Sequence, residues 1–167
     1  MSDMTATERI SMQIFIDADA FPNVIKDILT RASMRLNVPL VFVANRPVRV
    51  QDASHIEVII VPAGPDVADD RIVELVGPGD LVITADIPLA DRVVGKGAFA
   101  LNPRGKLYTE ENIKDSMAMR GLMNELRDSG VITGGPATFS KKDRQAFANV
   151  LDSLLIKQLK KENSTVA

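Results

Sequence analysis

Acidic residues gather in three short stretches whose spacing suits the handling of a hard cation. Asp17 and Asp19 stand in Ile16-Asp17-Ala18-Asp19-Ala20, and Asp86 and Asp91 in Thr84-Ala85-Asp86-Ile87-Pro88-Leu89-Ala90-Asp91. Between them in the chain comes Asp66-Val67-Ala68-Asp69-Asp70. Residues i and i+2 at a strand end point to the same side, so Asp17 and Asp19 repel each other unless a proton or cation compensates. Oxygen ligands gathered at one point bind Mg²⁺ or Mn²⁺, which retain several waters and engage substrate phosphates. Such ions activate a water for in-line attack and stabilise the leaving oxygen, which is metal-assisted phosphodiester hydrolysis.

Simpler roles compete at some of these positions. Asp66 and Asp86 are good N-cap residues, and acids in a first helical turn complement the helix dipole. Helical phase separates Asp69 from Asp70. With Ala68, Ile72, Leu75 and Val76 on the core face, Asp69 borders that face and Asp70 points away. Asp70 then joins Asp66 and Glu74 in a solvated stripe.

The remaining composition narrows the chemistry. The chain has 167 residues, no Cys, no Trp, one Tyr and one His. Disulfides, thiolate nucleophiles and Cys-ligated metals are thereby excluded. A Ser–His dyad has the single candidate His55, which precedes a strand and reads as structural. The chain carries 22 Asp and Glu against 20 Lys and Arg, for a net charge of −2. Binding to nucleic acid must therefore rest on a local basic patch. No apolar run approaches the roughly 20 residues of a membrane helix. Met1 to Met12 lacks the apolar stretch of a signal peptide, so the expected location is cytoplasmic, with no membrane partner.

The elements that must position the acids alternate between strand and helix. Short apolar runs at Met12–Ile16, Leu40–Ala44, Ile56–Val61, Leu81–Thr84 and Ala98–Leu101 read as five strands, largely covered on both faces. Helical periods cover Asn23–Leu36, Asp66–Val76, Ile87–Val94, Thr109–Arg127 and Ser140–Lys160. Ser140 and Asp143 have the spacing of a capping box, with Asp in place of the commoner Glu. The expected fold is α/β, a three-layer α/β/α sandwich on a mostly parallel sheet of about five strands, followed by C-terminal helices. One domain over residues 12–160 is expected, after a flexible segment 1–11 and before a fraying tail 161–167. The stretch from Asn45 to His55 is short for a crossover helix. Gly134-Gly135-Pro136 reads as a hinge before the last helix. The apolar face of that helix suits either its own sheet or a partner's, which leaves the oligomeric state open and a homodimer conceivable. In an open parallel sheet, ligands bind beyond the carboxyl ends of the strands, where the three acidic stretches fall.

Several segments together resemble the YaiI/YqxD family of small bacterial proteins of uncharacterised function. They are Phe15 to Pro22, Val43-Ala44-Asn45, Ala68-Asp69-Asp70, Gly77-Pro78-Gly79 through Arg92, and Gly134-Gly135-Pro136. The likeness spans about residue 12 to 158. That family is in turn similar to the PIN-like metal-dependent nucleases, whose acids sit after the first and fourth strands and on an intervening helix. The resemblance implies metal ligation by Asp17, Asp86 and Asp69 or Asp70, with Asp19 and Asp91 orienting waters or a second ion. Asp17, Asp19, Asp86 and Asp91 are thus the candidate catalytic residues. Phe21 departs from the pattern: family members usually carry Cys there, and this side chain is expected to pack at the head of the first helix.

A nuclease also needs cations for the phosphate backbone. Asn45 and Arg46 follow the second strand, Arg92 follows Asp91, and Lys141 and Lys142 open the last helix, where they oppose the dipole. Arg49 also follows the second strand, and Arg104 and Lys106 flank Gly105 after the fifth. With one Tyr and six Phe, little stacking surface is expected for bases. The leading expectation is an Mg²⁺- or Mn²⁺-dependent hydrolase of RNA or DNA, with RNA favoured by the resemblance. A non-catalytic nucleic-acid or partner-binding module and a small-molecule phosphatase are the alternatives.

Overall fold

In the computed structural model, six strands form one sheet in the order β3-β2-β1-β4-β5-β6. The structure describes residues 12–18, 21–51, 53–131 and 139–166, with side chains to residue 161. The strands are β1 (Ile14–Asp17), β2 (Leu40–Ala44), β3 (Ile56–Ile60), β4 (Leu81–Ile83), β5 (Phe99–Leu101) and β6 (Leu107–Tyr108). The helices are α1 (Asn23–Leu36), α2 (Val67–Leu75), α3 (Ile87–Gly95), α4 (Ile113–Asp128) and α5 (Lys141–Val166). All neighbouring strands run parallel except β5 and β6. The carboxyl ends of five strands therefore share one edge.

Side-chain alternation builds the layers. Ile14, Ile16, Leu40, Phe42, Leu81 and Ile83 face one side, where Ile25 and Leu29 of α1 and Phe147, Leu151 and Leu155 of α5 bury them. Phe15, Val41, Val43 and Val82 face the other, against Ile72 of α2 and Leu89 and Val93 of α3. Every residue of β2 is buried, which is why that strand reads as an unbroken apolar run. The last helix covers its own sheet, which settles one of the two roles its apolar face allowed. It also runs on to Val166, past Lys160 where its pattern fades.

Three local features differ from or refine the sequence reading. The short β2–β3 connection forms a parallel pair without a helix among its described residues, and Leu40 N donates to the His55 carbonyl at 2.9 Å. A sixth strand, β6, pairs antiparallel with β5. The turn between them is folded around Asn102, whose Oδ1 accepts from Arg104 N and Lys106 N, both at 2.9 Å. At its tip Gly105 has φ +94°, and a Cβ there would come within 2.8 Å of the Ala146 backbone. Only glycine lets this turn lie against α5.

The capping box forms as expected. Asp143 N donates to Ser140 Oγ at 3.2 Å, and Ser140 N donates to Asp143 Oδ2 at 3.0 Å. At the opposite edge of the sheet, Asp80 is buried just before β4. Its carboxylate accepts from Gln13 N at 3.0 Å and Gly77 N at 2.9 Å, tying the entry of β1 to the turn that launches β4.

Candidate functional site

The strand order reverses between β1 and β4, and that is where a parallel sheet opens a crevice at its carboxyl edge. Asp17 is the last residue of β1, Asp86 follows β4, and α2 carries Asp69 to the same edge. The sheet thus brings together three acids separated widely in sequence.

Local chemistry fixes two of them. Asp86 caps α3, with its Oδ1 accepting from Leu89 N at 3.2 Å, and Pro88 lies in the first turn. Thr84 is fully buried and serves both acids. Its hydroxyl donates to Asp17 Oδ2 at 3.1 Å and accepts from Asp86 N at 3.0 Å. Asp86 is therefore both a helix cap and a member of the acidic set. Asp66 stands at the N-cap of α2 with φ 62° and makes no side-chain capping bond.

Asp69 reports the electrostatics of the set. Its pKa is pushed up to about 7, first by burial and then by the charges of Asp17, Asp86 and Asp66. A hydrogen bond with Asp86 adds to the effect, because only a protonated Asp69 can donate it. Among the described residues Asp69 and Asp86 form no ion pair. A proton on Asp69 does what a cation would otherwise do between carboxylates. Carboxylate oxygens are by type the donors that a hard divalent ion prefers. As arranged, no group of three or more His, Asp or Glu side chains among the described residues is gathered tightly enough to hold one.

The other candidates are distributed unequally. Asp70 points to solvent and pairs with Arg92 at 2.9 Å, which agrees with the phase that turned Asp69 inward. Asp91 is exposed on α3, and Asn45 and Arg46 are exposed just beyond β2 on the acidic edge. Lys141 and Lys142 are exposed at the start of α5. Asp19 and Gly134-Gly135-Pro136 lie outside the described residues, as do 1–11.

A cleft of about 620 Å³ opens beside the acids, lined among others by Asp17, Asp86, Arg104, Arg120, Phe21 and Phe139. Phe21 also packs on the core at the head of α1, as expected for that position. Arg104 Nη1 donates to Asp143 Oδ2 at 2.7 Å, so the capping box of α5 also fixes this guanidinium. Ser140 and Arg104 together hold the Asp143 carboxyl below its usual range, the backbone bond from Ser140 contributing most.

Thr84, Arg120 and Phe139 escaped the sequence reading. Thr84 looked like the end of an apolar strand. Its position two residues before a capping Asp is a weak signal for a hydroxyl bridging two strand ends. Arg120 and Phe139 reach the cleft from elements whose docking no local pattern announces.

A family model described as "Uncharacterized BCR, YaiI/YqxD family" matches residues 15–157. A UPF0178 protein of Solidesulfovibrio magneticus is 60% identical over 144 residues, covering 86% of this chain and 96% of its own. Its counterpart in Acidithiobacillus ferrooxidans is 57% identical over 146 residues, with 87% and 99% covered. That of Maridesulfovibrio salexigens is 55% identical over 148 residues, with 89% and 98% covered. No solved structure matches the chain. With the family model and these relatives each spanning most of its length, the protein belongs to the YaiI/YqxD family.

Proposed function

We propose that this protein is a Mg²⁺- or Mn²⁺-dependent phosphodiesterase acting on nucleic acid, RNA before DNA, at the carboxyl edge of the sheet. The observation that carries the proposal is the meeting of Asp17 and Asp86 through the Thr84 hydroxyl at the point where the strand order reverses, with Asp69 close enough for their charges to raise its pKa. Structural acids are normally paired or hydrogen-bonded to donors, whereas like charges held together mark a site with work to do. Asp17, Asp69 and Asp86 would hold the ion, and Asp19 and Asp91 would orient waters near it. A bound ion would lower the pKa of a water and neutralise charge on the leaving oxygen.

The chain's own residues have distinct tasks. Thr84 fixes the rotamer of Asp17 by donating to it, and Leu89 N holds one oxygen of Asp86. Arg46, Lys141 and Lys142 on the surrounding surface supply phosphate contacts, and Arg92 does so in exchange for its bond to Asp70.

Calorimetric titration with Mn²⁺ on the wild type and on Asp17→Asn tests the foundation. Binding in the first and loss of at least about tenfold in the second are expected. Absence of Mn²⁺ binding in the wild type removes both metal-hydrolase readings. Labelled single-stranded RNA, duplex DNA and a phosphomonoester, each with and without EDTA, then divide nuclease from phosphatase. Salt-sensitive binding without cleavage would make the protein a binding module instead.

A further inference from the structure

The cleft next to the acids has a composition that phosphodiester chemistry alone does not require. A site that only gripped a backbone phosphate would be lined by cations and polar groups. Here the two carboxylates at one side are joined by two guanidinium groups, Arg104 and Arg120, and by two aromatic rings, Phe21 and Phe139. Two of the chain's six Phe thus lie within one concave site, although composition had promised little stacking surface.

We propose that this cleft is a nucleotide subsite, taking one nucleobase against Phe21 and Phe139 while Arg104 and Arg120 engage the phosphate of the same unit. The inference rests on the phosphodiesterase reading for its orientation, with the attacked phosphate towards Asp17 and Asp86. Its physical support is independent of that reading. Every base presents a π-face that stacks on an aromatic ring, and guanidinium groups match phosphate bidentately. A volume of about 620 Å³ is that of a small-molecule pocket. On this proposal it takes a single unpaired nucleotide, whose base is free to leave the stack and meet the rings.

The walls are built to hold their shape. Arg104 is fixed by Asp143, which is fixed in turn by the capping box of α5. The turn that carries Arg104 is braced by Asn102 and lies on α5 through Gly105. Phe21 and Phe139 both pack on the main core cluster, so their rings are anchored rather than loose. Preorganisation of this kind lowers the ordering cost of binding. Arg120 sits on the exposed α4 and forms no ion pair among the described residues.

Two sources share this chemistry, a free mononucleotide and an unpaired unit of a strand. Fluorescence anisotropy and its competition form distinguish them. The probes are short single-stranded RNA and DNA oligonucleotides, the same sequences as blunt duplexes, and AMP and UMP as competitors, all in EDTA so that no cleavage occurs. The expected result is single-strand binding at least about tenfold tighter than duplex binding. Phe139→Leu, which keeps apolar packing but removes the ring, should weaken it by about tenfold with an unchanged salt slope. Arg120→Gln, an exposed change without effect on the core, should weaken it and reduce the salt slope by about one unit. Competition by AMP and UMP at concentrations well below those of inorganic phosphate would identify the free nucleotide as sufficient. Equal affinity for single strand and duplex, or wild-type binding by both variants, overturns the subsite. Cleavage without single-strand preference leaves the hydrolase standing and removes the subsite. Single-strand binding that is lost in the variants, without any metal-dependent cleavage, does the reverse.

Discussion

Asp80 and Asp69 stand at opposite edges of the same sheet and show two ways of burying a carboxylate. Asp80 is the more enclosed, at 8% exposure, and its pKa is raised by burial. Yet two backbone N–H groups and the charge of Lys96 pull in the other direction. Asp69 is only half-buried, and every influence on it favours the proton. Burial alone therefore does not tell these two acids apart. What separates them is the company: donors around Asp80, other acids around Asp69.

Substitutions should expose this contrast, beginning with the largest effect. Asp80→Ala strips partners from the N–H groups of Gln13 and Gly77 and should destabilise the fold by about 3 kcal/mol. Denaturant unfolding measures it, as a shift in midpoint at constant slope. An unchanged midpoint would show that water replaces the carboxylate at no cost, and Asp80 would lose its structural role.

Asp69→Asn should act in the opposite direction. An acid whose pKa is raised from 3.8 to about 7 penalises the folded state once it must ionise. The penalty is absent below the unfolded value, grows as pH rises through the window between the two, and is complete above about 7. Wild-type stability should accordingly fall across that window. Above it, the Asn variant should melt higher by a few degrees, for a gain of about 1 kcal/mol after allowing for solvent screening. Below about pH 4 the difference should vanish. Mn²⁺ should raise the melting temperature of the wild type above pH 7 by mass action and leave Asp69→Asn nearly unmoved. A variant less stable at every pH would place Asp69 with Asp80 among the structural acids.

The smallest effect belongs to Asp70 and Arg92. Both are exposed, and the pair should contribute no more than about 0.5 kcal/mol, so Asp70→Asn should leave the melting curve almost unchanged. A large shift would draw Asp70 into the acidic set from which its ion pair separates it.

Much of this architecture was legible because its determinants are local. Buried parallel strands read as apolar runs, the Ser140–Asp143 box carries its own spacing, and helical phase turned Asp69 inward and Asp70 outward. What stayed hidden depended on distance or brevity. β6 is two residues long and has no period to detect. A β2–β3 crossover without a helix follows from pairing geometry rather than from the composition of residues 45–55. The acids of the site could be placed by the rule that strand ends gather ligands, but its rings and guanidinium groups could not. Phe139 precedes the last helix, and Arg120 rides on a helix with only Ile113 and Ser116 buried, so their meeting is a product of tertiary packing.

The position of α5 in the chain also bears on how the molecule is made. Ile14 and Ile16 of β1 are among the earliest core residues to leave the ribosome, whereas Phe147, Leu151 and Leu155, which cover them, are among the last. At typical elongation speeds the interval is on the order of 10 s. Throughout it, one face of the nascent sheet lacks most of its cover, and the turn at Gly105 has no helix on which to rest. A chaperone that shields apolar strands would find its window there, before the last helix closes both the core and the wall of the cleft.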